Sequence, residues 1–215
     1  MRVFCNQFSA NVSFLILILN LSVVFTFGQN TQMPDCRHKF ASIITNCKIS
    51  DYTKIIESNP SDAIAYFNRG NTYQREKKYD EAISDFSKVI ELDPKFERIY
   101  GFRGVVYHLK KEYDLAISDF SRAIELAPKN AEGYVNRGAS YSAKNEYDKA
   151  FADYDKAIKL DSNRWLFRYF RCWLYYNNGK KSLAEVECKK AKELETLEEN
   201  KYEVKHIQPT YPKFP

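Results

Sequence analysis

Residues 65–94 read AYFNRGNTYQREKKYDEAISDFSKVIELDP. Thirty-four positions on, residues 99–128 read IYGFRGVVYHLKKEYDLAISDFSRAIELAP. A further 34 on, residues 133–162 read GYVNRGASYSAKNEYDKAFADYDKAIKLDS. Self-similarity at one fixed period marks a solenoid of stacked supersecondary units. The phase extends beyond the quoted blocks. Arg69, Arg103, Arg137 and Arg171 are 34 apart, as are Tyr73, Tyr107, Tyr141 and Tyr175, and Ala82, Ala116, Ala150 and Ala184.

Each unit reads as two helices. In the first, Tyr66, Gly70 and Tyr73 fall on one helical face. Glu76, Lys77 and Lys78 form a polar turn. Tyr79, Ala82, Ile83, Phe86, Val89 and Ile90 then make a second apolar stripe at helical spacing. Asp80 and Glu81 sit in the first turn, where the helix dipole favours negative charge. Asp93-Pro94 ends the helix, because proline cannot continue it. Gly70, Gly104 and Gly138 recur in mid-helix, where glycine costs about 1 kcal/mol against alanine. The recurrence predicts close approach of two helices opposite Ala82, Ala116 and Ala150, with tyrosines filling the space around it.

This pattern resembles the tetratricopeptide repeat in its length and in its Gly, Tyr, Ala, aromatic, Ala, Pro spacing. The resemblance covers residues 63 to about 198, with repeats at 63–96, 97–130, 131–164 and, degenerate, 165–198. In the fourth, Cys172 replaces the glycine, Lys181 the turn tyrosine and Cys188 the late aromatic. It implies an all-α, right-handed α-α solenoid of about four 34-residue helix-turn-helix repeats with capping helices at both ends. Residues 29–62 read as the N-terminal cap, a lone second helix around 40–58 in phase with 86–94. A long C-terminal helix is expected from residue 182 to about 204, with Leu183, Val186, Ala191, Leu194 and Leu197 facing inward. Residues 205–215 come after it as an extended tail rich in proline.

Arginine recurs with an acid 16 residues later: Arg69 with Asp85, Arg103 with Asp119, Arg137 with Asp153 and Arg171 with Glu187. Repeated at one phase, these read as structural bidentate pairs between helices rather than as an anion site. In the resembled family the first helix of each repeat lines a concave groove. That implies ligand-binding positions at Phe67, Asn68, Asn71, Phe102, Val105, His108, Asn136, Tyr169, Trp173 and Tyr176. Asn68 and Asn136 share one repeat position, where a carboxamide can offer donor and acceptor to a bound backbone. The alternative is that asparagine is simply common there. The family's carboxylate clamp for chaperone tails is matched at Asn71 alone: Phe67 stands for its Lys, Phe102 for its next Asn and Asn136 for its Arg, so the clamp reading fails.

Residues 12–27, VSFLILILNLSVVFTF, are shorter than a bilayer-spanning helix and end in small or polar residues. They read as the core of a secretory signal peptide, residues 1–28, cut near Gly28; the alternative is an uncleaved anchor through residues 8–27. Export to a periplasmic or extracellular space is therefore expected. Cys36, Cys47, Cys172 and Cys188 are then open to two disulfides, most simply 36 with 47 and 172 with 188, or to standing as buried thiols.

A net charge of +5, from 33 basic and 28 acidic residues, is small and evenly mixed, which argues against a nucleic-acid protein. No phosphate loop, HExxH, GxSxG or CxxC motif occurs, so no catalytic residue, metal or cofactor is expected. The expected function is a non-enzymatic scaffold that binds a partner peptide or helix in its groove. Two alternatives stand beside it. One is a structural subunit of an envelope or secretion-related complex, using its convex face or capping helix. The other, more remote, is an enzyme. The expected partner is a protein, with membrane contact only through an uncleaved signal or a complex.

Overall fold

The computed structural model describes residues 47–203, and every regular element among them is a helix. The fold is an all-α helical repeat of the solenoid class. The expected signal peptide, Cys36 and the tail from residue 204 lie outside the described residues. The chain divides into two compact units, residues 1–128 and 129–215.

The first unit holds α1 (Ile49–Ser58), α2 (Ala63–Arg75), α3 (Tyr79–Leu92), α4 (Glu97–Leu109) and α5 (Tyr113–Leu126). Each helix packs on the next. The core joins Phe67 of α2, Ala82, Phe86 and Val89 of α3, and Ile99, Tyr100 and Val106 of α4. Asp62 caps α2 by accepting from the Ala65 N–H at 2.9 Å. Pro60, Pro94 and Pro128 each follow the residue that closes α1, α3 or α5. Of the expected N-terminal cap, α1 is described and residues 47 and 48 before it are not helical; residues 29–46 lie outside the described residues.

The second unit holds α6 (Ala131–Ala143), α7 (Tyr147–Leu160), α8 (Trp165–Asn177) and α9 (Lys181–Glu203). Here α6 packs on α7, α7 on α8, α8 on α9, and α6 also on α8. The inward set expected for α9 is only partly right. Ala184, Glu187 and Ala191 are buried, while Leu183 (48 %), Val186 (54 %) and Leu197 (64 %) are exposed. Among the described helices α9 packs chiefly on α8, so it buries a narrow arc and leaves its flanks in water.

One turn joins the two helices of every pair. Lys77, Lys111, Asn145 and Gly179 all adopt positive φ, between 60° and 73°. The next residue's N–H returns to a tyrosine carbonyl in the helix just ended: Lys78 to Tyr73, Glu112 to Tyr107, Glu146 to Tyr141 and Lys180 to Tyr175, at 2.8–2.9 Å. The left-handed residue's own N–H bonds one residue further on, to Gln74, His108, Ser142 or Tyr176. Together these are the paired bonds of a Schellman motif, which satisfy carbonyls that a helix end leaves open.

The recurrent mid-helix glycines face an aromatic ring first, and the expected alanine stands close at Gly138, where a Cβ would lie 3.3 Å from the Ala150 carbonyl oxygen. A Cβ on Gly70, Gly104 or Gly138 would stand 2.7, 2.8 or 2.9 Å from the ring of Phe86, Phe120 or Tyr154. Those rings are essentially inaccessible to water. The glycine lets the ring lie against bare backbone. In the fourth pair the same two positions are Cys172 and Cys188, joined as a disulfide with Cα atoms 5.3 Å apart. Cys47 is also disulfide-bonded.

Candidate functional site

The arginines of the first helices form one repeated device. In the first unit, Arg69 Nε and Nη2 donate to the two carboxylate oxygens of Asp85, both at 2.8 Å. Its Nη1 donates to Thr53 Oγ1 at 3.1 Å. Arg103 repeats this with Asp119 at 2.8 Å and with Ser87 Oγ at 2.9 Å. Each arginine thus ties its helix to the helix before and the helix after. In the second unit Arg137 grips Asp153 at 2.8–2.9 Å. Arg171 contacts Glu187 at 2.8 Å and also pairs with Asp155. Arg168 adds a second cation to Glu187 at 3.5 Å.

Tyrosine rings flank the guanidinium groups. Arg69 lies 5.6 Å from the Tyr66 centroid and 5.9 Å from that of Tyr73. Arg103 lies 5.7 Å from Tyr107, and Arg137 5.8 Å from Tyr134 and 6.0 Å from Tyr141. Part of the tyrosine content therefore serves the cations, through the attraction of a ring face for positive charge. Hydrogen bonds to their aspartates raise the pKa of Arg69, Arg103 and Arg137 above the ordinary guanidinium value. Burial raises the Asp85 carboxyl, against the pull of Arg69. Every cation of the ladder is thus neutralised inside the fold.

The groove positions divide by burial. In the first unit Phe67 is buried, with its ring edge-to-face on Phe102 at 4.9 Å. Asn68, Val105 and His108 are buried, whereas Asn71 and Phe102 are half-buried. His108 lies 5.2 Å from the Tyr113 ring, and burial lowers its pKa to about 4, which keeps the imidazole neutral. In the second unit Asn136 is buried, and its side-chain oxygen has no hydrogen-bond partner. Tyr169 and Trp173 are half-buried and Tyr176 is 41 % exposed.

Sequence reasoning did not single out three features. Thr53, Ser87 and Asp155 share one repeat position, 16 residues before an arginine. That recurrence was a readable signal. Arg168 on Glu187 belongs to the fourth repeat alone and has no periodic signal. Trp165 completes an aromatic stripe, 6.3 Å from Tyr169. Among the described residues, no group of three His, Cys, Asp or Glu side chains could hold a metal ion. Nor is any helix among them long and apolar enough to cross a membrane.

The tetratricopeptide-repeat family model matches residues 63–96, 98–130 and 131–164. No curated protein sequence matches the chain. Among solved structures, the chain is similar to a crystal structure of MamA, at 27 % identity and TM-score 0.64, over 70 % of this chain and 88 % of that one. MamA from Desulfovibrio magneticus RS-1 shares 21 % identity at TM-score 0.64, covering 69 % and 84 %. TTC0263, a thermophilic repeat protein of Thermus thermophilus, shares 20 % at TM-score 0.59, covering 68 % and 80 %. The last two likenesses show the fold alone. The matched repeats support a protein-interaction scaffold. With their 34-residue phase, their glycine–aromatic contacts and their helix pairs, residues 63–164 of the chain carry tetratricopeptide repeats.

Proposed function

We propose that the chain is a non-enzymatic scaffold that holds an extended segment or a helix of a partner protein against the first helices of its repeats. The observation that carries this reading is the aromatic face of α8. Tyr169, Trp173 and Tyr176 are half-buried or exposed, whereas the matching α6 residues Val135, Ala139 and Ser142 are buried. Large amphipathic rings at half exposure are efficient anchors, with apolar area for packing and a polar atom for a bond. Photo-crosslinkers placed in cells at Tyr176 and, as a control, at Leu115 test this. Adducts at 176 that vanish in Tyr169→Ala/Trp173→Ala, with helicity unchanged, are the expected result. Adducts independent of those rings would sink it.

A second reading is favoured by the exposed Leu183, Val186 and Leu197 of α9, which suit a permanent subunit contact in an envelope complex. A crosslinker at Val186 separates the two. We further propose that the chain is exported. The apolar segment at residues 12–27 and the disulfide-bonded Cys47, Cys172 and Cys188 support this reading. N-terminal sequencing of the cellular protein tests it, with a start near residue 29 expected and a retained Met1 overturning cleavage.

A further inference from the structure

Trp165, Tyr169, Trp173 and Tyr176 stand at i, i+4, i+8 and i+11 along α8 and fall on one side of the helix. At about 1.5 Å per residue the stripe is about 16 Å long. The corresponding residues of α6 are Ala131, Val135, Ala139 and Ser142, and α6 is succeeded by a further pair, α8 and α9. No such pair succeeds α9 among the described residues.

Beyond α9 the sequence runs on through residues 204–215, VKHIQPTYPKFP. The disulfide between Cys172 and Cys188 and the Arg171–Glu187 pair set α9 antiparallel to α8. By equal helical rise, Trp165 lies level with about residue 195 of α9. The helix continues to Glu203, so its end lies about 12 Å beyond the start of the stripe. Five extended residues, 204–208, reach about 16 Å, enough to return to Trp165.

Pro209, Pro212 and Pro215 then recur at every third position. A polyproline II helix has three residues per turn and rises about 3.1 Å each, so the three prolines share one edge over about 19 Å. That length and the length of the aromatic stripe agree. Proline-rich segments dock on aromatic surfaces because their rings pack face to face and little chain entropy is left to lose. The polyproline II backbone makes no internal hydrogen bonds, so its carbonyls are open to Trp Nε1–H and Tyr O–H donors.

We propose that residues 209–215 lie in cis, as a polyproline II segment, along Trp165, Tyr169, Trp173 and Tyr176. The segment is then a built-in occupant of the aromatic wall, displaced when an outside ligand takes the same rings. The inference uses that wall but needs no outside partner, so its failure and that of the scaffold reading are separately visible.

The chain contains two tryptophans, and both lie in the stripe. Their emission and their quenching by iodide therefore report on this surface. Three proteins are compared: the intact chain, the chain ending at residue 208, and Pro209→Ala/Pro212→Ala/Pro215→Ala. Removal of the segment should shift emission to the red and raise the quenching constant about two-fold as covered rings become accessible. The triple variant should behave like the truncation, and the synthetic peptide HIQPTYPKFP should restore the intact signal to the truncated chain. The intact signal should not change on dilution. Identical emission and quenching in the intact and shortened chains would overturn the proposal. A signal that falls away on dilution would overturn the cis arrangement and place the segment on a second copy instead. The changed residues lie beyond α9, and circular dichroism checks that helicity is the same in all three.

Discussion

At the scale of single residues, the left-handed turn position shows a conflict between local preference and fold. Gly179 and Asn145 suit positive φ, while Lys77 and Lys111 adopt it at φ 60° and 64° against their preference. A left-handed residue with a Cβ costs about 1–2 kcal/mol relative to its ordinary conformation. Lys111→Gly should therefore stabilise the first unit by about 1 kcal/mol in urea unfolding, because Glu112 and its return bond to Tyr107 are kept. The mid-helix glycines predict the opposite sign. Gly104→Ala would set a methyl 2.8 Å from the Phe120 ring, which has no room to move, and should cost about 1–3 kcal/mol. Pairing it with Phe120→Leu should return part of that loss. His108 supplies a pH signature. Its folded pKa is lowered to about 4 by burial, below the ordinary 6.5. The unfolded chain therefore binds the proton first, and stability falls as pH drops from about 6.5 towards 4, by about 3 kcal/mol in all. That part of the slope should be absent in His108→Gln, measured by denaturant titration at each pH.

At the scale of elements, the arginine ladder decides how helix pairs are tied together. Arg103 is held by Asp119 and Ser87 on the two flanking helices, α5 and α3. Arg103→Met leaves Asp119 buried without its cation and should cost about 3–5 kcal/mol, whereas Arg103→Met/Asp119→Leu should recover most of it. A double variant no more stable than the single one would show that the pair is more than a compensated charge. The ladder was legible because both members recur at one phase. The neutral third partners were legible in the same way, but short hydroxyl side chains are common on helix surfaces and draw less attention. The turn residue shows a different limit. Lysine at positions 77 and 111 hides a left-handed site that Asn145 and Gly179 announce at the same register. The face of α9 was misread for a physical reason. Leu183, Val186 and Leu197 make an apolar stripe in sequence, but with α8 as its main described neighbour the helix buries small Ala184 and Ala191 instead. Periodicity tells that a face is apolar, not that something covers it. The groove positions met a related limit, because repeat phase places a residue on the first helix without saying how deep it lies. Phe67 is buried whereas Tyr169 at the same repeat position is half-buried, and His108 is buried whereas Tyr176 at the same repeat position is exposed.

At the scale of the whole molecule, the first unit rests on rings set against glycine, while the second ends on a covalent bond. The Cys172–Cys188 bond closes a loop of 16 residues in sequence separation. A loop of that size is worth about 3 kcal/mol in the chain-entropy account. Cys172→Ala/Cys188→Ala should therefore lower the denaturation midpoint of the second unit and leave that of the first, with its bonded Cys47, in place, as hydrogen exchange resolved by residue would report. In three repeats the contact between these positions is glycine under a ring, held by exclusion of water. In the fourth it is two small sulfur side chains, which fill less space and hold by sharing electrons. A thiol pair there would leave the last helix leaning on an underfilled seam. At this seam the hold of α9 on α8 thus depends on the redox state around the chain, while the glycine–ring contacts at the same station upstream do not.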